Sequence, residues 1–216
     1  MNKPLQILTP EDLARTSTET IGHYQRLADG FLEGTRDHDV SQNIDALLRH
    51  IQGDRPYDIL DLGCGPGRDL HTFQELGHCP VGLDGCAAFV EMAVDRTGCT
   101  VWHQDFLELE LPPNAFDGVF ANASLFHVPT QELDRVLLNL YSCLRPNAVL
   151  FCSNPRGSDI ERFNGDRYGA FLEPVTWKSF VLAAGFTELE HYYRPEGRPR
   201  EQQPWLATVW RRPSQG

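Results

Sequence analysis

One stretch limits what this chain can become more than any other: an alternating apolar run that ends in glycines at every second position. It reads DILDLGCGPGRDL over residues 58–70, with Gly63, Gly65 and Gly67 two apart. Glycine costs conformational entropy on folding, so three in one turn need a reason. Two reasons are open: a turn too tight for a Cβ, or a ligand pressed against the backbone. The run before the glycines predicts a buried strand, and the segment after them a helix. A strand passing through such a turn into a helix opens a β-α-β unit of a parallel sheet. In sheets of that kind ligands bind outside the carboxyl ends of the strands, near the point where strand order reverses.

The rest of the chain keeps this grammar. YDILDLG, PVGLDG, CTVWHQ, FDGVFANASLFHV and AVLFCSNPRG read as strands or strands running into loops. Between them RDLHTFQELG, CAAFVEMAVDRTG and TQELDRVLLNLYSCLRPN read as helices, the last with Leu133, Val136, Leu137, Leu140 and Leu144 on one side. After Gly157 comes a polar, aromatic excursion, SDIERFNGDRYGAFLEP, then a helix, TWKSFVLAAGF, and two strands, TELEHYYRP and WLATVWRRP. The short link between those two strands has no helix, so they pair antiparallel. Residues 1–55 read as helical. TPEDLARTSTETIGHYQRLADGFLEG carries a helix start signal and ends near Gly34, and SQNIDALLRHI puts Ile44, Leu47, Leu48 and Ile51 on one face. The expectation is one α/β domain over 1–216, with 1–55 a helical lid and 56–216 a core carrying a substrate-side insertion near 157–174.

Charge and cysteine usage narrow the partners. With 19 Lys and Arg against 30 Asp and Glu, the net charge is −11, which argues against nucleic acid, since phosphate neutralisation needs clustered cations. A small anionic ligand held by a few arginines stays open. No apolar run is long enough to span a bilayer, and the N-terminal residues lack the apolar centre of a signal peptide, so a cytoplasmic protein without membrane partners is expected. The six cysteines, Cys64, Cys79, Cys86, Cys99, Cys143 and Cys152, form no C-x-x-C and have no histidine at zinc spacing; reduced thiols and no metal are expected.

Acidic residues stand beyond two further strands. Asp84 ends the second strand, 19 positions after Gly65, where a carboxylate can accept both hydroxyls of a ribose. Asp105, in WHQDF after the third, can accept from an exocyclic amine such as adenine's, or serve only as a turn former. The glycine spacing is G-x-G-x-G, unlike the G-x-G-x-x-G of dinucleotide folds.

These residues resemble those of class I S-adenosylmethionine-dependent methyltransferases of the small-molecule type. ILDLGCGPG resembles the family's first motif, VGLDG its ribose motif, HQDFLEL its adenine motif and FDGVFANASLFHV its fourth. LRPNAVLFCSNP is similar to the segment around the fifth strand, and HYQRLADGF to a Tyr-x-x-x-Ala-x-x-aromatic stretch that precedes the core. The resemblance implies a Rossmann-like seven-stranded sheet, mostly parallel with the last strand antiparallel, helices on both faces and an N-terminal helical lid. Its cofactor is S-adenosyl-L-methionine, released as S-adenosyl-L-homocysteine. By position, Gly63 and Gly65 face the methionine part, Asp61 holds the turn, Asp84 and Gly85 take the ribose, and Asp105 with the Phe106 backbone takes adenine. The Asn122 carbonyl meets the amino group, and Tyr24 covers the cofactor. Where the family's fifth-strand segment reads Pro-Gly-Gly this chain reads RPNAV, and Asn147 can adopt the left-handed conformation in place of glycine. Arg68 either pairs with the cofactor carboxylate or points into solvent.

The acceptor side is less determined. His127, just past the fourth strand, is the candidate catalytic base, a neutral imidazole suited to proton removal near pH 7, or else a wall of the pocket. With it Arg156, Tyr168 and Tyr192 are candidate substrate contacts, since arginine forks carboxylates and aromatics offer cation-π surface. A small polar, carboxylate-bearing metabolite fits this set. An amino-acid-like nitrogen such as an imidazole, as in ovothiol-type pathways, leads; carboxyl, hydroxyl or sulfur acceptors, a nicotinamide-dependent oxidoreductase and an inactive cofactor-binding protein are the alternatives. Nothing in the residues sets the oligomeric state.

Overall fold

The computed structural model describes residues 2–35 and 38–214. Arg36 and Asp37, part of the charged joint expected between the N-terminal helices, lie outside the described residues. The core begins with β1 (Asp58–Leu62), β2 (Cys79–Asp84), β3 (Val101–His103), β4 (Phe116–Asn122) and β5 (Leu144–Pro155), all mutually parallel. A short antiparallel pair, β6 (Ile160–Asn164) and β7 (Arg167–Phe171), follows. β8 (Thr187–Arg194) and β9 (Trp205–Arg211) complete the main sheet. Its seven strands run β3-β2-β1-β4-β5-β9-β8. β9 is antiparallel to both neighbours, as the short link between the last two strands requires. Strand order reverses at β1, with β2 on one side and β4 on the other, so the glycine turn after β1 opens onto the switch point.

Alternation along the strands explains why both faces carry helices. Ile59, Phe120, Val149 and Phe151 point one way and pack against α3 (Ser41–Leu48) and against Phe73 of α4 (Arg68–Glu75). Leu60, Val119, Leu150 and Cys152 point the other way, against α6 (Thr130–Cys143) and α7 (Pro174–Ala183). α5 (Ala87–Thr97) closes at Gly98 as expected and joins β2 to β3. Both parities are buried, which is why these strands read as nearly continuous apolar runs.

Three local outcomes differ from expectation. The helical stretch expected to run to Gly34 breaks at Leu27 into α1 (Pro10–Arg26) and α2 (Ala28–Thr35). α6 ends at Cys143, and Leu144 already pairs with Phe116, so the segment through Asn147 belongs to β5, across a bulge. Asn147 does adopt the left-handed conformation, at φ 66°. Third, α3 is a sheet-packing helix: Ala46 and Leu47 are fully buried beneath β4 and β5. Of residues 1–55, α1 and α2 border the site, together with residues 38–40 and Asn43 at the start of α3. The six cysteines are all free, and four are buried.

Candidate active site

Both reasons for glycine in the first turn apply, at different positions. Gly63 (φ 77°) donates its N–H to Leu83 O at 2.8 Å, fastening the turn to the end of β2. A Cβ there would lie 2.6 Å from Ser124 Cβ and 3.2 Å from the Phe106 ring, so no side chain fits. Gly65 (φ 52°) is different: the nearest atom to its Cβ position is a Phe31 ring carbon at 3.8 Å, an ordinary contact. Its face is open to a cavity of about 760 Å³ at the carboxyl edge of the sheet. That is room for a nucleoside and a second small molecule together. Gly67 caps α4, as expected.

The cavity wall includes Tyr24, Gly63, Gly65, Asp84, Gly85, Asp105, Phe106, Asn122 and His127. The Asp84 carboxylate accepts the Gly65 and Cys86 N–H groups, both at 2.9 Å. Each oxygen keeps a further acceptor position. Burial pushes its pKa up to about 6 against the backbone donors that favour the charge. Asp105 caps the turn Phe106–Glu108 by accepting from Leu107 N at 2.8 Å, and its other oxygen takes the Ser17 hydroxyl of α1.

Asn122 closes a polar chain beneath the cavity. Tyr192 donates to Asn43 Oδ1 at 2.8 Å, Asn43 donates to Asn122 Oδ1 at 2.9 Å, and Asn122 donates to Asp69 Oδ2 at 3.2 Å. Arg68 forks Asp69 at 2.6 and 3.0 Å, so its side chain is folded back onto its own helix. Asp61 stands behind the turn and outside the wall, at 2% exposure. Burial and then the Asp69 charge push its pKa well up.

Across the cavity, past β4, the chain turns through Ala123 at φ 60°, a conformation uncommon for a residue with a side chain and a frequent mark of functional turns. It delivers Phe126 and His127 to the wall. His127 Nδ1 lies 2.6 Å from the Tyr168 carbonyl and Nε2 lies 3.0 Å from the Tyr24 hydroxyl. A carbonyl only accepts, so Nδ1 carries the proton and Nε2 accepts from Tyr24. Burial lowers the His127 pKa to about 4, and the Arg167 charge acts the same way.

Three candidate substrate contacts do not reach the cavity. Tyr168 offers its backbone carbonyl, while its phenol points away to Glu161 Oε1 at 2.9 Å. Successive strand side chains face opposite ways, so it is the neighbour Arg167 that enters the wall. Tyr192 is spent on Asn43, and Arg194, two residues on along the same strand face, reaches the wall instead. Arg156 lies over the Tyr193 ring at 5.3 Å, outside the cavity. Ser17, Asn43, Arg167 and Trp205 also line the site, and no sequence pattern marked them. For Arg167 the NGD turn that makes β6–β7 a hairpin was the available clue.

A switch-point cavity with a glycine turn and an acid at each of two strand ends marks a Rossmann-like domain with room for a nucleoside-sized ligand. The family model for the methyltransferase domain matches residues 59–147, the segment that carries all of those features. A trans-aconitate 2-methyltransferase of Enterobacter sp. (strain 638) is 36% identical over 52% of this chain and 45% of its own length. Another, from Azoarcus sp. (strain BH72), is 30% identical over 67% of this chain and 62% of its own. The chain thus spans about half the length of these relatives. A Burkholderia thailandensis 1,6-didemethyltoxoflavin-N1-methyltransferase, solved with its substrate and S-adenosylhomocysteine, superposes with a TM-score of 0.75 at 20% identity, over 99% of this chain and 94% of that one. Residues 59–147 form a methyltransferase domain, and the chain as a whole resembles the class I S-adenosylmethionine-dependent methyltransferases, whose cofactor is S-adenosylmethionine. The residues present fit that group: an open Gly65 backbone, the Asp84 carboxylate and the Asp105–Phe106 corner all line the cavity.

Proposed function

We propose that this protein methylates a small, polar, carboxylate-bearing acceptor bound beside Tyr24, His127 and Arg167. S-adenosylmethionine supplies, when bound, a methyl group made electrophilic by its sulfonium. In this reading Gly63 and Gly65 let the backbone pass close to the methionine portion. Asp84 and Gly85 hold the ribose, and Asp105 with Phe106 holds the adenine. The Asn122 carbonyl takes the amino group. Those residues follow β1 to β3 or end β4, so the acceptor side falls to the loop after β4 and the β6–β7 hairpin.

The observation that carries the acceptor class is Arg167. Its guanidinium lies 6.0 Å over the Tyr24 ring and in the wall, and among the described residues no carboxylate pairs with it. A cation that meets only the Tyr24 phenol and no carboxylate at a cavity wall suits an anion, and a guanidinium suits a carboxylate fork. The two relatives named for trans-aconitate, an acid, support the same class. Phe126 and Trp205, edge to face at 6.3 Å, add an apolar wall that favours a flat acceptor skeleton. An amino-acid-like or ring nitrogen is the favoured nucleophile, a carboxylate oxygen the second.

Transfer of label from methyl-labelled cofactor to a panel of small acids and their matched amides tests this. Acids should be methylated and amides should not, and Arg167→Gln should raise KM for the acids roughly tenfold or more with kcat little changed. Equal turnover of acids and amides would refute the carboxylate. A protein stabilised by NAD and not by S-adenosylhomocysteine would refute the methyl donor as well.

A further inference from the structure

Arg194 and Trp205 stand directly opposite each other across the antiparallel β8–β9 pair. Side chains paired in this way share a face and lie side by side, and both enter the cavity wall. From Trp205 the wall continues to Phe126, edge to face at 6.3 Å, and from Phe126 to the His127 ring at 3.9 Å. Tyr24 follows at 5.6 Å from that ring, with the Arg167 guanidinium 6.0 Å over it. The wall past β4 is thus an aromatic row with a guanidinium at each end, one from the β6–β7 hairpin and one from β8.

The cavity's own acids do not cancel these two charges. Asp84 ends β2 and Asp105 follows β3, at the other side of the cavity, and Asp69 is forked by Arg68. That leaves Asp39, which feels the Arg194 charge. Its carboxylate is turned to Ser41, accepting from the hydroxyl and, at 2.9 Å, from the N–H. Arg194 Nη2 donates to the Asp39 backbone carbonyl instead, at 2.7 Å. That bond takes one of five guanidinium donors and fixes the group in place without pairing its charge. Among the described residues no carboxylate stands at ion-pair distance from Arg194, whereas Arg26, Arg49, Arg145 and Lys178 each meet one. Arg156 and Arg200 lie over the ring of Tyr193, the next residue along β8, which faces away from the cavity.

We propose that Arg194 is a second anion subsite and that the acceptor is a diacid, one carboxylate on Arg167 and the other on Arg194, its skeleton lying along Phe126 and Trp205. This rests on the reading that Arg167 takes an acceptor carboxylate, and narrows it from acids to diacids. Two guanidinium ends discriminate twice: an acceptor with one carboxylate leaves one cation unmatched, and a neutral one leaves both. Gripping the acceptor at both ends also fixes its direction along the wall, so the same atom is presented for attack in each turnover.

Isothermal titration of the protein saturated with S-adenosylhomocysteine tests this without turnover. The titrants are dicarboxylic acids with linear, unsaturated and aromatic skeletons, each beside its mono-amide and its diamide. The best diacid should bind wild type at least about tenfold more tightly than its mono-amide, and the mono-amide more tightly than the diamide. Arg194→Gln should bring diacid and mono-amide within about twofold of each other, with the mono-amide and S-adenosylhomocysteine both near their wild-type affinities. Arg200→Gln should leave every value unchanged, which a diffuse field around the cavity mouth would not allow. A wild type that binds diacid and mono-amide equally would overturn the proposal, as would an Arg194→Gln variant that weakens both equally. So would a loss of S-adenosylhomocysteine affinity in that variant, which would assign Arg194 to the donor's carboxylate. Equal binding of mono-amides and diamides to wild type would instead overturn the carboxylate reading on which the proposal rests.

Discussion

Replacing Gly63 and Gly65 by alanine, one at a time, separates a turn that is too tight from a turn that makes room for a ligand. Both residues have positive φ, 77° and 52°, so each alanine carries backbone strain of about 1–2 kcal/mol. That cost cancels in the comparison. The remainder does not. At Gly63 the new methyl meets Ser124 Cβ at 2.6 Å and the Phe106 ring at 3.2 Å. Ser124 is only 4% exposed and its Cβ is not the end of a flexible chain, so backbone must shift, at about 1–3 kcal/mol. At Gly65 the nearest atom is 3.8 Å away, with no such penalty. Gly63→Ala should therefore unfold about 1–3 kcal/mol more easily than Gly65→Ala without ligand, or about 2–12 °C lower at some 2–4 °C per kcal/mol for a chain of this size. Gly65→Ala should lose S-adenosylhomocysteine affinity instead, because its methyl projects where the ligand passes. Urea unfolding of the two apo variants, followed by titration of the better folded one, reads both effects. Equal loss of stability, or an unperturbed Gly63→Ala, would refute the division of labour within the turn.

Asp84 links stability to binding. Its folded pKa of about 6 exceeds the usual unfolded value near 3.9, so the folded state holds the proton more tightly between those limits and stability falls as pH rises from about 4 to 6. Apo Asp84→Asn should therefore gain on wild type across that window in parallel pH-unfolding series, while losing at least tenfold in S-adenosylhomocysteine affinity at pH 7. Tyr192→Phe should cost about 1 kcal/mol in unfolding, for its bond to Asn43, and Arg156→Ala should leave acceptor KM unchanged; a large KM rise in either would return that residue to the site. Hydrogen exchange should slow along α1 and α2 when S-adenosylhomocysteine is added, since Ser17, Tyr24 and Phe31 border its cavity; unchanged rates there would leave these helices as ordinary packing.

The sheet was legible because both of its faces are buried: strands such as ILDL and AVLF carry no polar alternation, and glycines or short loops mark their ends. The place of the proposed cofactor corner was legible for a related reason. Asp84 ends a strand and Gly63, Gly65 and Asp105 stand in the turns just after one, and a strand end has a fixed place in a parallel sheet. The acceptor side depends on parity and register instead. Tyr168 and Arg167 are adjacent in sequence, yet one phenol is buried against Glu161 and one guanidinium lies in the wall, and only the β6–β7 register decides which is which. Tyr192 looked like a ligand residue because its ring and hydroxyl offer cation-π surface and a hydrogen bond; its partner Asn43 sits on a helix about 150 residues earlier, beyond any local pattern. The bond of His127 to Tyr24 likewise spans 103 positions. Burial holds this imidazole neutral down to about pH 4, below the range near pH 7 expected of it as a base.

A crystal structure with S-adenosylhomocysteine bound tests the central claim most directly. The account predicts the ribose hydroxyls on the Asp84 carboxylate, the adenine against Asp105 and Phe106, and the thioether sulfur turned towards the acceptor side, with Arg167 beyond it. A ligand lying elsewhere, or one in this cavity with its sulfur turned away from the acceptor side and its ribose off Asp84, would contradict it.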